Sequence, residues 1–64
     1  MKVIGYNGEI SIYNIDTPSD VMVYTVDGKL VGNISNAFGD VDIQVPSEQL
    51  YIVKVGSRSY KIAL

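Results

Sequence analysis

The chain has 64 residues and a formal net charge of −2, and it contains neither cysteine nor histidine. A chain of this length is a single domain, 1–64, that buries only roughly 60% of the surface its unfolded form exposes, so a large ligand cavity has no room. Without Cys there are no disulfide staples or thiolate metal sites, and the basic residues Lys2, Lys29, Lys54, Arg58 and Lys61 are too scattered for a nucleic-acid surface.

Short runs of β-branched and aromatic residues alternating at period two predict an all-β chain. The first strand is expected over Val3–Tyr6. Met1-Lys2-Val3-Ile4 meets Gly5 before a signal-peptide core can form, and apolar stretches such as Leu50–Val53 fall far short of the ~20 residues of a membrane span. Met1 reads either as a true start or as the start of a fragment. Asn7-Gly8 predicts a type I′ turn into a second strand, Glu9–Ile15, with Ile10 and Ile12 on its inner face.

Pro18 marks a strand end, where a missing N–H breaks no ladder bond. The third strand, Val21–Val26, turns Val21 and Val23 inward, but Met22, Tyr24 and Val26 make its second face apolar too. A second apolar face marks either a central strand or an exposed sticky patch, and it is the first place to expect a partner. Asp27-Gly28 predicts a second type I′ turn, leading to Lys29–Ile34 with Leu30 and Ile34 inward. "NISNAFGDVDI" is the one connection long enough to cross between sheets, with Phe38 either packed on the core rim or plugging an open end. Val41–Val45 follows with Val41, Ile43 and Val45 inward, and Pro46 ends it. Tyr51–Val55 and Arg58–Ala63 form the closing hairpin around a type II′ turn at Gly56-Ser57, with Tyr51, Val53, Val55, Tyr60, Ile62 and Leu64 inward. These elements predict a small antiparallel β-sandwich, immunoglobulin-like, of six to seven short strands; a half-open barrel is the competing arrangement.

No constellation points to chemistry. Asp40 and Asp42 share a polar strand face, and Asp16, Asp20, Asn36 and Asp40 read as turn caps rather than as organised Ca²⁺ ligands. Serines 11, 19, 35, 47, 57 and 59 lack a histidine base, and the isolated glycines open no helix, so there is no phosphate cradle. Tyr6, Tyr13, Tyr24, Tyr51 and Tyr60 read as sheet stabilisers before they read as a sugar platform. The expectation is no catalytic, cofactor-binding or metal site, no cofactor and no enzymatic activity. Asp27, Gly28 and Gly56 are structural turn residues.

Two segments carry a resemblance. "VYTVDGKLV" is similar to a V-Y-D-x-x-G-K-x-V hairpin, and "LYIVKVG…SYKIAL" to a G-x-Y-x-V-K-V…K-x-x-V ending. Together they resemble the type A C-terminal sorting domain of the Por (type IX) secretion system, or a related Bacteroidetes C-terminal β-sandwich domain, over roughly residues 7 to 64. Val23, Tyr24, Gly28, Lys29 and Val31 match the first motif. Tyr51, Val53, Lys54, Val55 and Lys61 match the second, which the resemblance makes a recognition hairpin. Gln49 stands where the family has glycine, "VPSEQ" replaces its L-P-x-G approach, and the first motif's Asp is Thr25 or the shifted Asp27. The resemblance implies a non-catalytic C-terminal module of a longer secreted or cell-surface protein, with the secretion machinery or parent-protein domains as partners. The alternative is a structural interaction module that docks on parent domains or self-associates through strand edges, "SYKIAL" offering one such edge.

Overall fold

In the computed structural model, which describes all 64 residues, the chain forms five strands and no helix. They are β1 (Lys2–Tyr6), β2 (Glu9–Thr25), β3 (Leu30–Gln44), β4 (Leu50–Val55) and β5 (Arg58–Ala63), all paired antiparallel in one sheet. β2 is its hub. Along one edge it pairs with β3; along the other it pairs with β1 through its first half and with β4 through its second, and β5 pairs with the far side of β4.

The count of five corrects the expected six to seven. Glu9–Ile15 and Val21–Val26 are two halves of β2, and Lys29–Ile34 and Val41–Val45 are two halves of β3. The polar stretches Asp16–Asp20 and Ser35–Asp40 interrupt the alternation and so read as loops, yet they keep β2 beside β3 through a series of register shifts. "NISNAFGDVDI" is therefore strand, not a crossover between sheets.

Length forces these strands to bend. The 17 residues of β2 would reach roughly 56 Å if straight, whereas the longest dimension of the molecule is 28 Å. The bend falls where pairing jumps from Ile12↔Val41 to Ile15↔Gly39 and then to Ser19↔Ala37. Asn14 and Asn36 sit there in left-handed conformations, φ 62° and 55°. At each, a side chain on the opposite strand replaces the lost ladder bond: Asp40 Oδ1 accepts from the Asn14 N–H at 3.0 Å, and Asp20 Oδ1 accepts from the Asn36 N–H at 3.1 Å. Pro18 lies inside β2 rather than at a strand end, in this irregular stretch where no pairing to β3 passes through it. The result is a single curled antiparallel sheet, a half-barrel.

Ile10, Ile12, Val21, Val23, Ile43, Tyr51, Val53 and Val55 are buried in its concavity as their alternation predicts, joined by Ile15 and Ala37. Ile15 enters because the kink at Asn14 resets the parity of β2. Val3, Ile34, Val41, Val45, Tyr60, Ile62 and Leu64 pack partly buried around this centre. Leu30, expected inside, is 47% exposed: a register shift between Val23 and Tyr24 turns it outward, and Val31 packs on the core instead. Phe38, expected on the core rim or as a plug, is 63% exposed, since its neighbour Ala37 takes the inward position.

Two of the three hairpin turns follow expectation. Asn7 and Gly8 both have positive φ, as a type I′ turn requires, and at Gly56-Ser57 only the glycine does, as type II′ requires. Asp27-Gly28 is not type I′. Thr25 N–H donates to Lys29 C=O at 2.9 Å and Gly28 N–H to Thr25 C=O at 3.0 Å, around the three-residue loop Val26-Asp27-Gly28 in which only Gly28, at φ 92°, is left-handed. Val26 thus belongs to the loop rather than to the strand. A type I turn followed by a left-handed glycine explains why the position still demands Gly. Nothing lies within 4 Å of a Cβ built on Gly28, so Gly28→Val tests backbone strain alone. We expect a loss of about 1–3 kcal/mol in thermal or urea unfolding, and an unchanged melting point would remove the left-handed turn from the account.

Candidate functional site

The closing hairpin β4–β5 has two chemically different faces. Tyr51, Val53 and Val55 point into the core, so three of the five residues matched to the recognition motif are buried. Lys54 and Lys61 are exposed. Register fixes what surrounds them: Lys54 lies between Met22 on β2 and Ser59 on β5, and Ile52 lies between Tyr24 and Lys61. The outer surface is therefore a patch of Met22, Tyr24, Ile52, Lys54, Ser59 and Lys61. Met22, Tyr24 and Ile52 are half-buried, and Tyr24 is held by two neighbours. Its hydroxyl donates to Met22 Sδ at 3.1 Å, and Lys54 Nζ stands 5.9 Å from its ring centroid, within range of a cation–π contact.

The apolar second face of Val21–Thr25 is thus present and is continued by Ile52. Apolar residues at consecutive positions in "LYIV" were the signal for Ile52. Val26, at 59% exposure, stands apart in the turn.

Tyr51 anchors the chain entering β4. Fully buried, it donates its hydroxyl to Ser47 C=O at 2.7 Å, and the same oxygen accepts from Ser47 N–H and from Gln49 Nε2, each at 3.3 Å. Gln49 Nε2 also donates to Ser47 Oγ at 2.6 Å. A tyrosine near the start of a strand, bonded to the backbone four residues upstream, has the geometry of a tyrosine corner. Ser47 and Gln49 lie in the segment that departs from the family pattern, and nothing in their spacing announced a role.

At the other hairpin Thr25 is buried and acts as a hub. Its Oγ1 accepts from Lys29 N–H at 3.1 Å and donates to Asp27 Oδ1. The Thr25 hydroxyl holds the Asp27 carboxyl below its ordinary value, helped by its own backbone N–H and, least, by the nearby Lys29 charge, with desolvation opposing them. Thr25 and Asp27, alternative positions for the motif's Asp, are therefore bonded to one another.

The other candidates do not converge. Asp20 and Asp40 accept the backbone N–H groups at the bends, Asp42 lies opposite Ser11 on the outer face, and no three acidic side chains stand close enough to share a metal ion. Tyr6 and Tyr13 are on the outer face of β1 and of the first half of β2, Tyr24 is on the outer face of the second half, Tyr51 is buried, and Tyr60 is paired with Val53 on the core side, so the five tyrosines form no common platform. No pocket opens on the surface. No helix is long and apolar enough to cross a membrane.

No protein-family model, curated protein or solved structure matches the chain.

Proposed function

We propose that the chain is a non-catalytic module directing secretion or surface anchoring of a larger protein, recognised through the outer face of its β4–β5 hairpin. The observation that carries this reading is the division of the hairpin. Tyr51, Val53 and Val55 lock it onto the core, so Lys54 and Lys61 are presented on a rigid two-stranded surface beside Tyr24 and Ile52. The two motif resemblances support the secretion machinery as the partner and a secreted or cell-surface location. The tyrosine corner at Tyr51 supports the finer, immunoglobulin-like reading of the fold, because that device recurs in Greek-key sandwiches.

The test fuses residues 1–64 to a reporter sent to the periplasm of a host that has a type IX system. Export of the reporter is expected, with Lys54→Glu/Lys61→Glu retaining it inside while the domain stays folded and its thermal melt falls only slightly, because both side chains are exposed and the loss is confined to the Lys54–Tyr24 cation–π contact. A reporter left in the periplasm by the unaltered domain sinks the sorting role. The second reading, an interaction module docking on parent domains or on another copy, is favoured by the apolar patch of Met22, Tyr24 and Ile52 and by the free strand edges.

A further inference from the structure

The sheet leaves three strands with a neighbour on one side only, and they are not equivalent. β1 and β5 are 5 and 6 residues long, carry Lys2 or Arg58 and Lys61, and approach one another where Gly5 meets Ile62 and Leu64. β3 is 15 residues long, has only Asp40 and Asp42 as charges, and has no strand beside it other than β2. Sheet edges are ordinarily blunted by shortness, by lysine or by proline. β3 has none of these, although its bends limit how much of it can pair as one piece.

Its straight section is Val41–Gln44, in unbroken register with Ile12–Glu9. Val45 N–H donates to Gly8 C=O at 3.0 Å. Backbone groups of successive residues in an antiparallel strand point to opposite sides, so Ile43 also addresses β2 and the N–H and C=O groups of Asp42 and Gln44 address the open edge. Val41 and Val45, whose side chains face the core, stay only half-buried for want of a further strand.

We propose that β3 is a self-association edge: two copies pair this section antiparallel about a two-fold axis through Ile43, continuing the sheet across the dimer. Asp42 then lies opposite Gln44 of the second copy, and the two exchange both backbone hydrogen bonds through their open groups. On the core side Ile43 meets Ile43 and Val41 meets Val45; on the outer side the Asp42 carboxylate meets the Gln44 amide. Other axes fit worse. One through Asp42 opposes two Asp42 carboxylates, one through Val41 sets Asp40 against Asp42, and one through Gln44 sets Asp42 against Pro46, which has no N–H to give. So few residues bury far less than the ~1,200 Å² of a stable interface, which makes the dimer weak and concentration-dependent.

This sharpens the interaction reading by naming the edge and the occupant. Sedimentation of the whole chain from micromolar to millimolar concentration, at low salt, is expected to show a monomer–dimer equilibrium. Gln44→Lys places a lysine opposite Asp42 twice per dimer and is expected to tighten it about two- to thirtyfold; Gln44→Glu is expected to weaken it by a similar factor. Gln44→Pro, which removes the outward N–H, is expected to abolish it. Glu9 lies beside Gln44 within each copy, so a thermal melt of each variant separates changes in fold stability from changes in association. Lys61→Glu, on the β5 edge, is expected to leave the equilibrium where it is. A strict monomer for both the wild type and Gln44→Lys at millimolar concentration overturns the proposal. So does a shift in the same direction for Gln44→Lys and Gln44→Glu, or loss of the dimer in Lys61→Glu. None of these outcomes bears on reporter export, so the two readings fail separately.

Discussion

Replacing Tyr51 with alanine is expected to remove a large part of the folding stability, about 3–5 kcal/mol, while Tyr51→Phe leaves a folded but less weakened domain. The side chain is completely buried and is the largest among the fully buried residues. Truncating a buried aromatic to alanine costs about 3–5 kcal/mol, against a total stability of about 3–10 kcal/mol for a chain of this length. Phenylalanine keeps the ring and removes only the hydroxyl. That strands Ser47 N–H and C=O in a partly buried site, at a cost of about 1–3 kcal/mol. Ser47→Ala should cost less, because the short bond of 2.7 Å goes to the backbone oxygen, the two hydroxyls stand 3.4 Å apart, and the bond that Ser47 Oγ accepts from Gln49 Nε2 is exposed, where water replaces it. Urea unfolding followed by circular dichroism measures all three. Equal losses for Tyr51→Phe and Ser47→Ala would show that the corner holds nothing.

A second large effect is expected at Gly5. Alanine in place of glycine within a strand ordinarily stabilises by roughly 0.4–1 kcal/mol, because the unfolded chain loses freedom. Here the sign reverses. A Cβ at Gly5 falls 2.5 Å from Ile62 Cγ2 and 3.1 Å from Leu64 Cγ, at the seam where β1 meets β5. Ile62 Cγ2 is attached directly to Cβ and cannot swing away without changing rotamer, so β1 or β5 has to move. Overpacking of this kind costs about 1–3 kcal/mol. The Gly5→Ala penalty should largely vanish in an Ile62→Ala background, which clears the space, and a double-mutant cycle reads that coupling directly. Additive losses would mean that the two strands do not touch there.

Much of the local structure was legible in the sequence because it rests on local chemistry. Tyr51-Ile52-Val53-Lys54-Val55 and Arg58–Ala63 alternate without interruption, and Gly56-Ser57 between them can close only a tight turn, so strands, facing and turn type agree. Asn7-Gly8 is similar. At the two bends the deciding residues are polar. Asp16–Asp20 and Ser35–Asp40 look like loops because alternation stops, and no local rule says that Asp20 will cap Asn36 or that Asp40 will cap Asn14 across the strand pair. Counting by twos from Ile34 puts Leu30 inward, and one extra residue opposite Val23 inverts the count. In the candidate site, the apolar second face of Met22 and Tyr24 was visible as a break in alternation. The burial of Tyr51, Val53 and Val55 followed from the same rule, yet the motif resemblance grouped them with Lys54 and Lys61 as if all five shared a surface.

By itself the sequence determined the all-β class, the antiparallel hairpins, most of the core and the lack of any His or Cys chemistry, because each depends on residue type and on spacing of two. Tertiary structure alone decided that seven segments become five strands. A 17-residue strand fits a molecule 28 Å long only if it bends, and it bends where left-handed asparagines are stabilised by aspartates some 16 to 26 residues away in sequence. It also decided which edges stay open. Once β2 holds β3 on one side and both β1 and β4 on the other, β1 can meet β5, and β3 is left with an unpaired edge that no property of its own fifteen residues foretells.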